Sequence, residues 1–505
     1  MKLRPRVYVQ FRISDGVGRK CLSAGAANSR NLKSAKGAQD TTTTVRFELR
    51  IGLEGTDRVT TPVDSTLAYI DQASFLALRA LGRGPVIQYV WIYERGVDLD
   101  GLRRFHRHLQ HTLLGRLIER SSLPFGRHRW VAYQGPGDVD VAACERSRDQ
   151  VWDWVDERSF VPVDPEFGPP WHLGVQPLTG GGDVVSLAVS HTIADAVAGI
   201  MSIADAADGL TREFGFPDSA SRNRRRGLRQ DVALTLRSAR DIPGAFSAAA
   251  RIARDQRDDL STSVKAAGPP RPGSSGDRAV VVPRIYGSIN ASDWDDRAKA
   301  LGATRNVLFT GLATRVGYRL GRSDDDGRTL LSVPVSQRTE GDTRANPLSG
   351  ITVLADPARV CTDLTDLRAA TKQALVELGE IHETLLAPLA LTPFTPKVVA
   401  RRLENLVLRV GKPIGCSNIG DIPDAVNRPD GTDADFFAVR GGEAGITANT
   451  LARLGGHLLV SAARMRDKVW FSVASWEANR TNTRAALAEV VAAAIADFGL
   501  AAHLE

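Results

Sequence analysis

Of the nine histidines in the chain, His191 stands where chemistry would place one. It follows the apolar run Val184 to Val189 and opens the string His191-Thr192-Ile193-Ala194-Asp195-Ala196, which leads into small residues at helical spacing. A strand end feeding a helix projects a side chain into a cleft with fixed geometry, as a general base requires. An imidazole so placed accepts a proton from an alcohol or amine near neutral pH. The His-x-x-x-Asp spacing is weak by itself, since chance pairs are ordinary among nine histidines and a satisfied core histidine is the competing reading. His106, His108 and His111 cluster in an Arg-rich helical stretch without a carboxylate or thiol ligand beside them, so a solvated face is expected there rather than a metal site. Cys21, Cys144, Cys361 and Cys416 are scattered and read as buried reduced thiols of a cytosolic protein. Without a GxSxG elbow, a Walker loop or a GxGxxG after a strand, serine hydrolase, NTPase and Rossmann oxidoreductase chemistry lack support.

The elements that must position His191 follow from periodicity. Ser65 is placed to cap a helix through Leu67, Ile70, Phe75 and Leu78, and Val86 to Tyr93 reads as a strand. A helix is expected over Leu99 to Leu117, with extended pieces at Trp130 to Val139 and, after the turn Gly168-Pro169-Pro170-Trp171, at His172 to Leu178. Gly180 to Asp183 turns the chain into the strand before His191, and Ser190 to Ala207 is expected to be helical. After a long polar crossover, strands are expected at Ala279 to Ile285, Thr329 to Val335, Ile351 to Leu354, Gly415 to Ile419, Phe436 to Val439, His457 to Met465 and Val469 to Ser475. Helices are expected at Thr304 to Leu320, Leu364 to Ile381 and Thr481 to Phe498. Strands and helices mix in both halves, which predicts an α/β fold in two similar-sized parts.

The 505 residues are 43% apolar and 24% charged, which excludes disordered and collagen-like chains and exceeds one comfortable core. The expected organisation is a poorly ordered extension over 1–60, with a stray strand at Val45 to Leu53, then a first half over 61–210, an Arg-rich crossover over 211–280 and a second half over 281–505. No run approaches ~18 uncharged apolar residues, so no spanning helix is expected, and the first twenty residues lack the apolar core of a secretory signal. The net charge of +7 is matched by the window 222–257 alone, where ten arginines face three aspartates. A local strip of this kind suits an anionic membrane surface, an acidic ligand or plain solvation, whereas nucleic-acid binding is not expected from a chain without the corresponding signatures.

The string around His191 resembles the HHxxxDG motif of the superfamily of CoA-dependent acyltransferases and peptide-synthetase condensation domains, and more closely the bacterial wax ester synthase/diacylglycerol acyltransferase family. The resemblance runs from about Leu67 to Leu500. Leu67 to Phe75 is similar to that family's opening helix, and Gly168-Pro169-Pro170-Trp171 falls at the family's distance before the histidine. Gly302 to Leu308 resembles its second motif, Val333-Pro334-Val335-Ser336-Gln337-Arg338 followed by Asn346-Pro347-Leu348-Ser349-Gly350 its "PVSLR" strand, and Ser417-Asn418-Ile419-Gly420 its "TNVPGP" strand. The resemblance implies two chloramphenicol-acetyltransferase-like α/β halves with mixed sheets and a tunnel between them. It implies an O-acyltransferase that moves a fatty acyl group from acyl-CoA, a co-substrate rather than a bound cofactor, to a long-chain alcohol or diacylglycerol, with His191 as general base. Asp195 would be structural, paired with an arginine for which Arg116 is the candidate. Asn306 would order the tunnel wall and Ser417 would offer the oxyanion a hydrogen bond. The protein would be cytoplasmic, a monomer being favoured, with residues 222–257 touching an anionic membrane or lipid droplet.

Three departures from the family pattern stand out. Ser190 replaces the first motif histidine, Ala196 the motif glycine, and Val307 the aspartate of the second motif. An extra methyl at Ala196 is expected to narrow the tunnel or alter a tight turn. Two other readings therefore stay open. One is a condensation-type enzyme that takes a carrier-protein thioester, and the other a lipid-binding homologue without catalysis.

Overall fold

The computed structural model describes residues 64–505, except 136, 256–276, 278, 408–411 and 444. The extension, the strand expected over Val45 to Leu53, Cys21 and Arg257 lie outside the described residues. Helices are α1 Tyr69–Leu81, α2 Leu99–Leu109, α3 Val151–Arg158, α4 Ala196–Ala207, α5 Arg224–Ser238 and α6 Ile242–Asp255 in the first part. In the second they are α7 Ala291–Ala300, α8 Arg305–Arg319, α9 Thr365–Leu386, α10 Lys397–Val407, α11 Ala448–Arg453 and α12 Arg484–Asp497. The strands are β1 Pro85–Tyr93, β2 Arg116–Glu119, β3 Arg129–Ala132, β4 Asp140–Val141, β5 Trp171–Pro177, β6 Asp183–Ser190, β7 Arg284–Asn290, β8 Thr329–Ser336, β9 Leu348–Ala355, β10 Ile414–Asp421, β11 Phe436–Glu443, β12 His457–Met465, β13 Lys468–Trp476 and β14 His503–Leu504.

Two mixed sheets organise these elements, with β2 and β3 as a separate pair. The first runs β11-β1-β6-β5-β4 and the second β14-β7-β13-β12-β10-β8-β9. The α/β class with two sheet-centred halves is therefore observed. The expected boundary at 281 does not separate the sheets, however, because β11 leaves the second half and pairs antiparallel with β1 along eight residues. One face of β1 and β6, with Ile87, Tyr89, Trp91 and Leu187, packs on α1, α2 and α4. The opposite face, with Val90, Ile92 and Val184, packs on α3 and reaches the second sheet through Tyr286. The alternation along each strand thus buries both faces, which explains the nearly continuous apolar reading of β1 and β6. A second core lies between the larger sheet and α7, α8, α9 and α12.

Departures from the sequence reading have local causes. Ser65 does not cap α1. Its carbonyl accepts from Trp130 N (2.6 Å), the segment lies against β3, and the helix starts at Tyr69. The helix expected to Leu117 stops at Leu109, since Thr112 Oγ1 donates to the Leu109 carbonyl (2.7 Å) and the chain folds back at Gly115. A Cβ at Gly115 would sit 1.8 Å from the Gln110 carbonyl oxygen, so only glycine permits this return, and Arg116 opens β2 instead of ending a helix. The strand expected at Ala279 begins at Arg284, after Pro283, which has no N–H for a ladder. Helix α3 was not expected, although Ser147 and Gln150 form a capping box just before it. Its Trp152 stacks on Tyr286 at 3.9 Å between centroids. The cluster of His106, His108 and His111 corrects another expectation. His106 is buried edge-on against Trp171 and held down to about 4 by burial, His108 is half-buried and contacts the Ala206 carbonyl through Nδ1 (3.0 Å), and His111, beyond α2, is exposed. Of the described cysteines, Cys416 is buried as expected, whereas Cys361 is half-buried and Cys144 exposed.

Gly199, in α4, carries the helix onto β1. A Cβ there would lie 1.9 Å from Tyr89 Oη, which itself donates to the Ala196 carbonyl (3.2 Å). Alanine ordinarily stabilises a helix interior by ~0.5–1 kcal/mol over glycine, but overpacking costs ~1–3 kcal/mol. Gly199→Ala is therefore expected to lower the urea midpoint, and an unchanged or raised midpoint would show that Tyr89 can move aside.

Candidate active site

The strand β6 ends at Ser190, whose backbone N–H donates to Pro170 O (3.0 Å), and His191 N donates to Pro85 O (3.0 Å). Strand pairing on both sides thus fixes where His191 leaves the sheet. The helix expected from Ser190 starts only at Ala196, and residues 191–194 form a turn. Asp195 caps that helix, accepting from Ala198 N (2.7 Å). Ala196 is simply the first helical residue, without a positive φ, so the backbone needs no glycine there.

The partner that sets the chemistry of His191 comes from the other sheet. Asn346, in the loop between β8 and β9, holds His191 by two bonds: His191 Nδ1 lies 2.8 Å from Asn346 Oδ1, and Asn346 Nδ2 donates to the His191 carbonyl (2.9 Å). A carbonyl can only accept, so the amide nitrogen must face it, and the amide oxygen must face Nδ1. Nδ1 therefore donates, so in the neutral ring the lone pair is on Nε2, which has no hydrogen-bond partner among the described residues. Sequence reasoning noted Asn346 within a motif and gave it no role. The signal that could have found it is an amide placed beside the Arg338 strand.

The loop that carries Asn346 is tied down by buried charge. Asp71, on α1 and fully buried, accepts from Ala345 N (3.0 Å) and Asn346 N (2.9 Å). Burial pushes its carboxyl pKa up, while those two N–H groups and the Arg116 guanidinium pull it back. Arg338 donates to Asp342 O and Ala345 O (both 3.0 Å) and lies 3.0 Å from Asp195 Oδ2, an ion pair with both side chains buried. Arg338, not Arg116, is thus the arginine facing Asp195. Arg116 donates to Ile193 O (2.7 Å) and to Thr343 O, and lies flat on Trp130 at 4.0 Å. Burial lowers its pKa to about 10 against the pull of Asp71. Two carboxylates and two guanidiniums so balance in formal charge, as buried ions must. Together they staple the His191 turn to the β8–β9 loop.

Asn306 and Ser417 belong to α8 and β10 of the second half. Asn306, at the start of α8, accepts from Asn418 Nδ2 (3.0 Å), next to Ser417 on β10. Ser417 pairs in parallel register with Ser461 of β12, and neither Asn306 nor Ser417 has a hydrogen bond to the His191 cluster among the described residues. Val307 is a buried core residue in the first turn of α8, so the position that holds an aspartate in the resembled family is apolar here. No group of three or more His, Cys, Asp or Glu residues placed to hold a metal ion occurs among the described residues.

Comparison of the structure with solved ones reports the same architecture. The first condensation domain of the calcium-dependent antibiotic synthetase, in complex with a substrate analogue, matches with a TM-score of 0.50 at 15% identity, over 86% of this chain and 96% of that one. A second structure of that condensation domain matches at 0.50 and 15% over 87% and 99%. The chain has the condensation-domain fold. A wax ester synthase/diacylglycerol acyltransferase from Marinobacter aquaeolei VT8 is similar at a TM-score of 0.47 and 14% identity, over 86% of this chain and 98% of that one. No family model and no curated protein matches the chain.

The Asn346 contact makes a prediction. Asn346→Ala frees the ring, so, with His191 as the base of an enzymatic reaction, turnover should fall about tenfold or more with little change in KM, the bond acting on the ring and not on substrate binding. Asn346→Asp retains an acceptor for Nδ1–H but adds a negative charge that favours imidazolium, so the acid limb of the pH–rate profile should move to higher pH. A profile that keeps its position in Asn346→Asp would exclude this tautomer control.

Proposed function

We propose that the chain is an O-acyltransferase that moves a fatty acyl group from a CoA thioester to a lipid-like alcohol, with Nε2 of His191 as general base. The observation that carries this reading is the Asn346 bond, which makes Nδ1 the donor and leaves Nε2 as the nitrogen that can accept a proton, at a strand end. Nε2 takes the acceptor hydroxyl proton as the oxygen attacks the thioester carbonyl. The C–S bond of the tetrahedral intermediate then breaks, and the imidazolium returns the proton to the CoA thiolate. Asp195 supports this step only by holding the turn, through its cap on α4 and its ion pair with Arg338. In the same reading Ser417 donates to the oxyanion and Asn306 orders the strand beside it through Asn418.

The decisive experiment is thiol release from long-chain acyl-CoA by purified protein, with and without hexadecanol or diacylglycerol. Acceptor-dependent release supports the proposal. Absence of release from acyl-CoA, with release from an acylated carrier protein in the presence of an amine or alcohol, would instead establish the condensation-type reading, which the fold shared with a synthetase condensation domain supports.

The Arg-rich crossover fits a peripheral surface contact in this reading. Arg224, Arg225, Arg226 and Arg229 of α5 are exposed, and so are the apolar Leu228, Val232 and Leu236 beside them and Phe246 of α6. No helix among the described residues is long and apolar enough to cross a membrane. Exposed cations interleaved with apolar side chains bind anionic lipid at about 1 kcal/mol per cation. Co-sedimentation should therefore be strong with phosphatidylserine vesicles, weak with phosphatidylcholine, and reduced when Arg224, Arg225, Arg226 and Arg229 are replaced by glutamine; equal binding to both lipids would refute the contact.

A further inference from the structure

A cavity of about 240 Å³ is bounded by β1, β7, β11, α11 and the start of β12; its wall includes Val86, the β1 partner of Ser190, and none of the His191 cluster. Its polar wall includes Arg284, Arg440, His457 and Glu443, and its apolar wall includes Val282, Ile446 and Leu451. Arg440 is answered by Asp156 (2.5 Å) and by Tyr286 Oη (2.9 Å), and Glu443 is engaged by Arg83. Arg284 differs. Its side chain is buried, Nη1 donates only to the Gly441 carbonyl (2.7 Å), and its Nε is buried without a partner. Among the described residues no carboxylate lies within ion-pairing distance of it, whereas Asp156 serves both Arg440 and Arg484. A buried guanidinium without a counter-charge costs several kcal/mol, an arrangement that makes physical sense where a ligand supplies the anion. Burial, and then the neighbouring Arg440, hold the Arg284 pKa down to about 10, and burial holds His457 at about 4, so the imidazole contributes hydrogen bonding without charge.

We infer that this cavity binds a small amphiphilic carboxylate, its carboxylate on Arg284 and its short apolar body against the Val282, Ile446 and Leu451 wall. The volume lies just below the ~300–1,000 Å³ of drug-sized sites, which suits a short chain. The site is independent of the acyl-transfer reading, and its test uses binding alone.

The experiment is calorimetric titration of the full chain with octanoate, octanol and inorganic phosphate. Octanoate is expected to bind at one site at least tenfold more tightly than octanol, because only the carboxylate meets Arg284, and phosphate should not bind measurably. Both Arg284→Met, which removes the cation at similar volume, and Leu451→Trp, which fills the cavity from its apolar side, should weaken octanoate at least tenfold. Arg284→Met without ligand should also melt no lower than the parent protein, since the substitution removes an uncompensated buried charge. No octanoate binding, equal affinity for octanol, binding of phosphate alone, or octanoate affinity unchanged in Leu451→Trp would each overturn the assignment. A large drop in melting temperature for Arg284→Met would do the same, by showing that the guanidinium serves the fold.

Discussion

His191→Ala is expected to lower acceptor-dependent thiol release by roughly 10²–10⁴-fold, the range over which a positioned general base accelerates proton transfer. The backbone of His191 is fixed by Pro85 O, its ring by Asn346 Oδ1, and its Nε2 is left free to accept. Removing the imidazole takes away the proton acceptor and leaves the turn, since Asp195, Arg116 and Arg338 hold residues 193–195 without it. The melting temperature should therefore change little, while kcat falls and KM stays near its original value. A variant that keeps more than a tenth of the parent rate would show that His191 is a structural histidine and that the proton leaves by another route.

The second large effect concerns folding rather than chemistry. Arg338→Met should destabilise the chain by about 3–5 kcal/mol, because it strands the buried Asp195 carboxylate without its cation. A surface change such as Arg224→Ala belongs to the class worth at most ~0.5 kcal/mol. The double variant Arg338→Met with Asp195→Asn separates the causes. Asparagine still accepts from Ala198 N, so the cap on α4 survives while the unpaired charge is gone. Urea unfolding of the four proteins in a double-mutant cycle should return a coupling of at least ~1 kcal/mol. Additive losses would mean that Arg338 works mainly through its bonds to Asp342 O and Ala345 O.

These two effects meet in one construction. The base is delivered by the first sheet and its tautomer is set by the second, so catalysis in this reading depends on the seam between them. Asp71, from the opening helix, closes that seam by accepting both N–H groups of Ala345 and Asn346. The buried ions of this seam should thus affect activity indirectly, through the position of Asn346, and stability directly.

Much of this was legible in the residue order. Apolar, β-branched runs such as those of β1, β6, β12 and β13 and helical spacing in α8, α9 and α12 announced an α/β chain, because local composition and periodicity belong to short stretches. The place of His191 was equally local, as an apolar strand precedes it directly and small residues at helical spacing follow it, whereas the turn and the Asp195 cap emerged only in the structure. Tertiary structure alone decided which arginine faces Asp195. Arg116 and Arg338 both lie far from it in sequence, and the hairpin loop after β8 brings Arg338 to 3.0 Å while Arg116 turns to the Ile193 carbonyl and Trp130. It also decided that Asn346 locks the ring, that β11 crosses into the first sheet, and that Gly115 rather than an added helical turn precedes Arg116. Ion pairs, amide clamps and strand exchanges join residues more than a hundred positions apart, and no spacing rule along the chain encodes which of several arginines or amides a buried carboxylate or imidazole will meet. Packing selects the partner, since burying a charge or ring nitrogen is costly where the fold brings none.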